Sequence, residues 1–462
     1  MLSGALAKWF EEAAMEDTDS VGGKGASLGE MYQKLSKIGV KVPNGFTLTT
    51  EAFRDFVNAD IPEATWDNVG NPEGIGNLRS EAIACKTLSS ALEVCLRDAD
   101  ASDHLGLNGR ASLARSLVRE TPIPETVKRA IGAEYSKLCD MYYPGVDVAV
   151  RSSATTEDSA EASFAGQYES YLNVSGESEI VEKWRRCVAS MFTERSVGYH
   201  LENNMNPLDS SIAVVVMKMA RSDKACSGVM FTIDPDSGHD GVIHIGSSYG
   251  LGELVVQGVV SPDTYTVWKK GLRMGKFPIV YRTLGGKEQM MVYNEESTNE
   301  VHTIQVSIEE RKKWSLTKEE CVSLAEMGLK IEDFFGKPMD IEWAKDGISN
   351  ELFIVQARPE TIHSKSSKSK MMLYKIDEKL TSKLKKNGRV IAEGQAVGTR
   401  VGTGMVRLYR TYAEVVQGRR ELQSLIDTGL AQEEISSELS VFEKGDVLVT
   451  EMTTPDWEPL MK

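Results

Sequence analysis

Two short apolar-rich segments joined through Asp346-Gly347 constrain this chain more than any other stretch. The first reads Met339-Asp340-Ile341-Glu342-Trp343-Ala344 and the second Leu352-Phe353-Ile354-Val355-Gln356-Ala357-Arg358-Pro359. Both have the length, composition and Asp-Gly and Pro boundaries of strands, so the pattern predicts a hairpin. Side chains alternate faces along a strand. That puts Asp340 with Glu342 on one face, and Ile354, Gln356 and Arg358 together on one face of the return strand. With those faces aligned, a carboxylate, an amide oxygen and a guanidinium converge. Such oxygens suit a hard cation like Mg²⁺, and a guanidinium suits phosphate oxygens, so the hairpin reads as a metal–polyphosphate site. The same alternation also describes an ordinary half-exposed hairpin with a polar face, and the hairpin alone does not choose between them.

The chain has 462 residues, too many for one core, so two to four domains are expected. Its formal charge of −15 argues against general nucleic-acid binding, which needs broad positive patches. A nucleotide pocket needs only a few local cations and stays open. Six cysteines are scattered without a C-x-x-C pair; this fits neither a zinc site nor a disulfide framework, and suits a reducing compartment. No run approaches a membrane span, so no membrane partner is expected. The N-terminus turns acidic without the apolar core of a secretory signal, and a cytoplasmic location is expected.

Along the chain, Val21-Gly22-Gly23-Lys24-Gly25 reads as a glycine loop running into a helix that starts at Ala26-Ser27-Leu28. Glycines let backbone approach phosphate, and lysine supplies a point charge. The spacing is not that of a Walker A loop. Residues 60–140 read as mainly helical, with Ile75-Gly76-Asn77-Leu78 and Leu105-Gly106-Leu107-Asn108-Gly109 as turns or inserted loops. A buried strand, Val148-Ala149-Val150-Arg151, ends in an arginine followed by small hydroxyl residues. Ser163-Phe164-Ala165-Gly166-Gln167-Tyr168-Glu169-Ser170 is a small-residue loop that can cover a triphosphate with backbone N–H groups. Arg151 by itself reads rather as half of a structural ion pair with a nearby acid. Strands dominate from Ser211 to about residue 306. A helix over Lys318–Phe334 follows, with Leu324, Met327, Leu329 and Ile331 expected in the core. Residues 361–388, rich in Lys and Ser, read as a linker. Glycine-joined strands follow, then a charged helical stretch over 413–438 and the segment Gly445 to Lys462.

These segments, in this order, resemble the phosphoenolpyruvate synthase (pyruvate, water dikinase) family. They resemble its relatives pyruvate phosphate dikinase and rifampicin phosphotransferase more loosely. The resemblance rests on Val21 to Met31, Val150 to Asp158, Ser163 to Val174, Ser227 to Phe231, Gly250 to Gly258, Met339 to Ala344, Val355 to Glu360 and Gly445 to Lys462. It implies an α/β (α+β) fold with an ATP-grasp-type nucleotide domain over 1–360, in lobes of about 1–210 and 211–360. After the linker, residues 389–462 would be part of a swivelling phosphohistidine domain. The family reaction turns ATP, pyruvate and water into AMP, phosphoenolpyruvate and phosphate. A histidine attacks the β-phosphorus of ATP and then carries phosphate to pyruvate. By the same resemblance, Lys24 and Arg151 would contact phosphates, and Gly166 and Ser170 would lie in the loop covering them. Glu342 and Gln356 would bind Mg²⁺, Arg358 would hold a terminal phosphate, and Glu253 is a nucleotide-side candidate. The partners implied are ATP, a histidine domain and a pyruvate-binding barrel; a homodimer is left open.

The chain departs from the family pattern in two places. Met217 stands where relatives carry Gln, on the strand that meets the adenosine, which removes an amide's hydrogen bonds. The family's acceptor histidine follows the Asp456-Trp457-Glu458-Pro459 segment, and none of His104, His200, His239, His244, His302 and His363 occupies that motif. A surface insertion is also expected at 411–440. The expectation is therefore the ATP-binding half of a dikinase, inactive alone. The competing readings are a non-catalytic nucleotide sensor, or a dikinase acting on an antibiotic or glucan.

Overall fold

The structure is a computed structural model that describes residues 5–101, 103–155, 168–294, 299–361 and 378–389, and shorter runs within 402–457. The chain forms two compact units, Met1–Ser364 and Lys365–Lys462.

The first unit is built on two antiparallel sheets. In the first, β1 (Ala7–Trp9), β2 (Gly45–Leu48), β3 (Val148–Ala154), β4 (Ser170–Val174) and β5 (Ile212–Lys218) take the order β1-β2-β5-β3-β4. The second contains β6 (Cys226–Phe231), β7 (Val242–Tyr249), β8 (Asp263–Trp268) and β9 (Ile279–Thr283). A small pair, β10 (Gln289–Tyr293) with β11 (Val301–Gln305), interrupts it before β12 (Met339–Lys345) and β13 (Leu352–Pro359). The second sheet's order is β13-β12-β6-β7-β8-β9.

The central strand β5 shows why the sequence folds this way. Its run Ile212-Ala213-Val214-Val215-Val216-Met217 is almost wholly apolar, as a strand covered on both faces must be. Val214 and Val216 join one core with Phe46, Leu48, Val148 and Val150, beneath the helices His104–Glu120, Glu125–Met141 and Glu177–Ala189. Val215 and Met217 point the other way, into a second core shared with Ile245, Ile341, Trp343 and Ile354 of the second sheet. Helix α1 (Thr18–Lys34) contributes Leu28 and Met31 to that second core, and Ser27 Oγ donates to Ala357 O of β13 at 2.7 Å. The helix Lys318–Phe335 also closes on this core, burying Leu324, Met327, Leu329 and Ile331. Thr317 and Glu320 cap its start reciprocally, and Gly336, at φ 68°, ends it.

Several expectations need correction. The lobe division near residue 210 falls before β5, yet β5 pairs with β2 and β3, so the sheets part between β5 and β6. The segment Leu105–Gly109 is not a turn but the first part of the helix His104–Glu120. Its glycines answer to close packing: a Cβ on Gly109 would lie 2.2 Å from Glu73 O. The glycine stretch at 21–25 is less an open loop than the point where two helical pieces of α1 meet. It is a kink inside α1, at Gly22, where φ is 69° and ψ is 170°. Arg151 does not end its strand, because Ser152, Ser153 and Ala154 continue pairing with Val214, Ala213 and Ile212.

In the second unit, the described residues form a helix, Glu378–Lys386, and a parallel pair, β14 (Val406–Leu408) with β15 (Val447–Val449). Val415, Phe442 and Trp457 form a small apolar cluster. Most of the expected linker, residues 390–398 of the glycine-joined strands and most of the expected insertion at 411–440 lie outside the described residues, as do His363 and Gly166. Among the described residues, no helix is long and apolar enough to cross a membrane.

Candidate functional site

The predicted hairpin is β12 and β13, and its register is specific. Glu342 stands directly across from Gln356, and Asp340 from Arg358. Next to Glu342 the register shifts, so that Trp343 faces Ile354 and Val355 is the extra residue. This bulge corrects the face assignment, since strict alternation would put Ile354 with Gln356 and Arg358. Inserting one residue breaks the period of two, so Ile354 turns into the apolar core with Ala357 while Gln356 and Arg358 stay on the polar face.

Arg151 reaches that face from the other sheet. It sits on β3, paired with Val215 of β5 on one side and Ser170 of β4 on the other. Its Nη2 donates to Glu342 Oε2 at 2.7 Å and to Gln356 Oε1 at 2.9 Å. Its Nη1 donates to Val355 O, the carbonyl of the bulge residue, at 3.0 Å. One guanidinium thus gathers three oxygens contributed by the hairpin. The side chains are mostly enclosed, with 13% of Arg151 and 21% of Glu342 exposed.

Lys24 arrives through the kink in α1. A Cβ at Gly22 would fall 2.0 Å from Ser153 O, so only glycine lets the helix approach β3 this closely. Ser153 stitches the kink in place. Its hydroxyl donates to Val21 O at 2.8 Å and accepts from Gly25 N at 3.1 Å. Lys24 Nζ then donates to Ser152 O at 3.0 Å. Arg358 binds Asp340 Oδ2 through both Nε, at 2.9 Å, and Nη2, at 2.8 Å.

The charges shape one another. Burial acts to raise the Glu342 carboxyl, but Arg151 foremost, then Lys24 and Arg358, hold it below its ordinary value. The Asp340 carboxyl is raised, chiefly by burial, against the pull of Arg358. Glu253 opens the short helix Glu253–Val256 after Gly250-Leu251-Gly252. Its carboxyl is raised mainly by burial, while Arg151 lowers it and Glu342 raises it, which places Glu253 within electrostatic reach of the site.

The structure therefore brings Lys24, Arg151, Ser170, Glu253, Glu342, Gln356 and Arg358 to one region between the sheets. Met217 lies on β5, one strand over from Arg151's β3. That side chain is 2% exposed, opposite Ala149 and Gly45 in the apolar core. The histidines lie apart from one another along the chain. His200, 1% exposed, is fixed between Ser196 O at 2.7 Å and Ser210 Oγ at 3.0 Å. Sequence reasoning missed Ser153 and the carbonyl of Val355. It noted Asp340 only as sharing a face with Glu342, although that alternation was the signal for its pairing with Arg358.

Among the described residues, no group of three or more His, Cys, Asp and Glu side chains is arranged to hold a metal ion. Glu342 and Gln356 offer two hard oxygen donors. This fits Mg²⁺, which is commonly held by one or two carboxylates with the remaining oxygens drawn from water and phosphate.

The family described as Pyruvate phosphate dikinase, AMP/ATP-binding domain matches residues 18–378. The phosphoenolpyruvate synthase of Synechocystis sp. is 40% identical over 469 residues, covering 99% of this chain and 50% of that protein. Those of Aquifex aeolicus and Escherichia coli are each 39% identical over the whole of this chain, covering 48% and 51% of their own lengths. The chain spans about half the length of these curated relatives.

Proposed function

Because the chain belongs to the pyruvate phosphate dikinase AMP/ATP-binding domain family, we propose that it binds Mg·ATP between its two sheets as the nucleotide half of a dikinase-type phosphotransferase. The observation that carries this reading is the convergence of Arg151, from one sheet, on Glu342 and Gln356 of the other, beside Lys24 and Arg358. A triphosphate needs several cations around it, and phosphoryl transfer depends on positioning and charge stabilisation. In a chain of net charge −15, Lys24, Arg151 and Arg358 here match the carboxylates of Glu342, Asp340 and Glu253, a local exception to the overall acidity.

In this reading the first unit is an ATP-grasp-type domain. Lys24 and Arg151 take phosphate oxygens, and Arg358 holds the terminal phosphate with Asp340 fixing its orientation. Ser170 and Gly166 belong to the segment that covers the phosphates, and Glu253 lies at the nucleotide's edge. Glu342 and Gln356 would hold Mg²⁺, whose chemistry is to neutralise charge on the phosphate oxygens as transfer proceeds. The protein's own side chains then exclude water and fix the direction of the chain of phosphates.

The relatives are named phosphoenolpyruvate synthases. Carried to this chain, that name supplies the overall reaction: ATP, pyruvate and water giving AMP, phosphoenolpyruvate and phosphate. A phosphohistidine domain, to which the second unit would contribute, and a pyruvate-binding barrel would complete it, in the cytoplasm. Isothermal titration of the chain with ATP in the presence of Mg²⁺ tests the nucleotide reading; saturable binding is expected, and no binding at millimolar nucleotide contradicts it. Adding a separately made histidine domain and barrel tests the reaction. Formation of phosphoenolpyruvate supports the dikinase, whereas nucleotide binding without turnover supports a sensor.

A further inference from the structure

One oxygen of Glu342 and the amide oxygen of Gln356 are already engaged, and by the same nitrogen. Arg151 Nη2 is 2.7 Å from Glu342 Oε2 and 2.9 Å from Gln356 Oε1. Its neighbour Nη1 is steadied at 3.0 Å by Val355 O. Mg²⁺ needs oxygens at roughly 2.0–2.1 Å. An ion in contact with both oxygens would therefore occupy the space that Nη2 fills, and its charge would repel the guanidinium. Lys24 and Arg358 also act on Glu342, so a bare cation meets three positive side chains. A nucleotide reverses that balance, because phosphate oxygens offer Arg151 a bidentate partner in place of the hairpin.

We propose that Arg151 is a positioning residue that makes metal binding conditional on nucleotide. Without nucleotide, the guanidinium caps Glu342 and Gln356 and keeps a divalent cation out. When a polyphosphate enters, Arg151 transfers its hydrogen bonds to phosphate oxygens, and the two hairpin oxygens become available to the cation that comes with it. No covalent bond changes; one ion pair is exchanged for two. Metal and nucleotide then strengthen each other's binding by the same factor, as linkage requires. This inference rests on the Mg·ATP reading above and adds the order in which the site is filled.

The test measures Mn²⁺ binding to the full chain by electron paramagnetic resonance, with and without ATP, in the parent, Arg151→Gln, Glu342→Gln and the double variant. Circular dichroism checks folding, and Arg151→Met, which removes both the charge and the donors while keeping a long side chain, is read beside Arg151→Gln and replaces it should Arg151→Gln not fold. Without ATP, the parent and Glu342→Gln should bind Mn²⁺ alike, because the site is capped. Arg151→Gln should gain a Mn²⁺ site at least about tenfold tighter, the scale of ordinary binding couplings, and the double variant should lose it. Its affinity for ATP should fall. A purely structural arginine would not produce tighter metal binding when removed. Glu342-dependent Mn²⁺ binding by the parent without ATP would overturn the inference, as would absence of a gain in the Arg151 variants. If the parent binds Mn·ATP but the gain is absent, only this inference fails; if the parent does not bind Mn·ATP at all, the nucleotide reading fails and takes the inference with it.

Discussion

At Glu342 two opposed effects meet: burial acts to raise the carboxyl and the surrounding cations lower it, and the cations win. The sign has a consequence for stability. A carboxyl depressed in the folded chain stabilises it fully above the unfolded value, near 4.5, and that contribution is lost as pH falls through the lower folded value. Asp340 works the other way, since its carboxyl is raised by burial and its protonation at falling pH favours the folded chain. Comparison of the parent with Glu342→Gln isolates the first effect. Urea unfolding should show the variant less stable by about 1.5–3 kcal/mol at pH 7, the range for a hydrogen bond to a charged group, with the gap closing below about pH 4.5. A gap that does not change with pH would contradict the assignment. At this scale the sequence was informative where residue type and strand alternation spoke together, as at Asp340, Glu342, Gln356 and Arg358. It was silent on Ser153, whose partners Val21 and Gly25 lie about 130 positions away.

Among the elements, α1 and the β10–β11 hairpin decide how the site is held. The kink at Gly22 brings Lys24 to β3, and nothing larger than glycine fits against Ser153 O. Gly22→Ala should therefore lose at least about 2 kcal/mol of stability, from left-handed strain and the backbone collision together, and should weaken ATP binding by displacing Lys24. An unchanged denaturation midpoint would refute the close approach. The β10–β11 hairpin links parts of the first unit far apart in sequence. Leu251 N donates to Met291 O at 2.9 Å, next to the segment that carries Glu253. Tyr293 Oη donates to Asp147 at 2.5 Å, with Arg221 lying 4.1 Å over its ring. Beyond β10, Asn299 Oδ1 accepts from Ser175 N at 2.6 Å and Glu300 O from Asn173 Nδ2 at 2.9 Å. Tyr293→Phe removes one of these ties and should cost about 1 kcal/mol; thermal unfolding indistinguishable from the parent would show the tie carries nothing. Element existence was mostly legible from apolar pattern. What misled was glycine, which reads as a turn in Leu105–Gly109 and in the 21–25 stretch. In the first it serves close packing within a helix, and in the second it makes the break between two helical pieces against β3; packing partners are not written locally. The bulge at Val355 escaped for the same reason, because the register of two strands depends on both.

For the whole molecule, both extensive cores lie within Met1–Ser364. A chain ended at Ser364 should consequently unfold cooperatively and bind Mg·ATP as tightly as the parent. Loss of binding in a folded fragment would mean that the second unit completes the nucleotide site. The sequence conveyed this scale through the order of its segments, since one motif alone was ambiguous and eight in sequence pointed to one family. It could not convey which of the gathered side chains touch, because that depends on two sheets meeting face to face. One such meeting is decisive for the site, that of Arg151 with Glu342 and Gln356. The direct measurement is calorimetric titration of Mg·ATP into the parent and into Glu342→Ala, each shown to be folded by circular dichroism. Saturable Mg²⁺-dependent binding to the parent is expected, and none to the variant at millimolar nucleotide. Binding of Mg·ATP by Glu342→Ala with the affinity of the parent would contradict it and return the hairpin to a structural role.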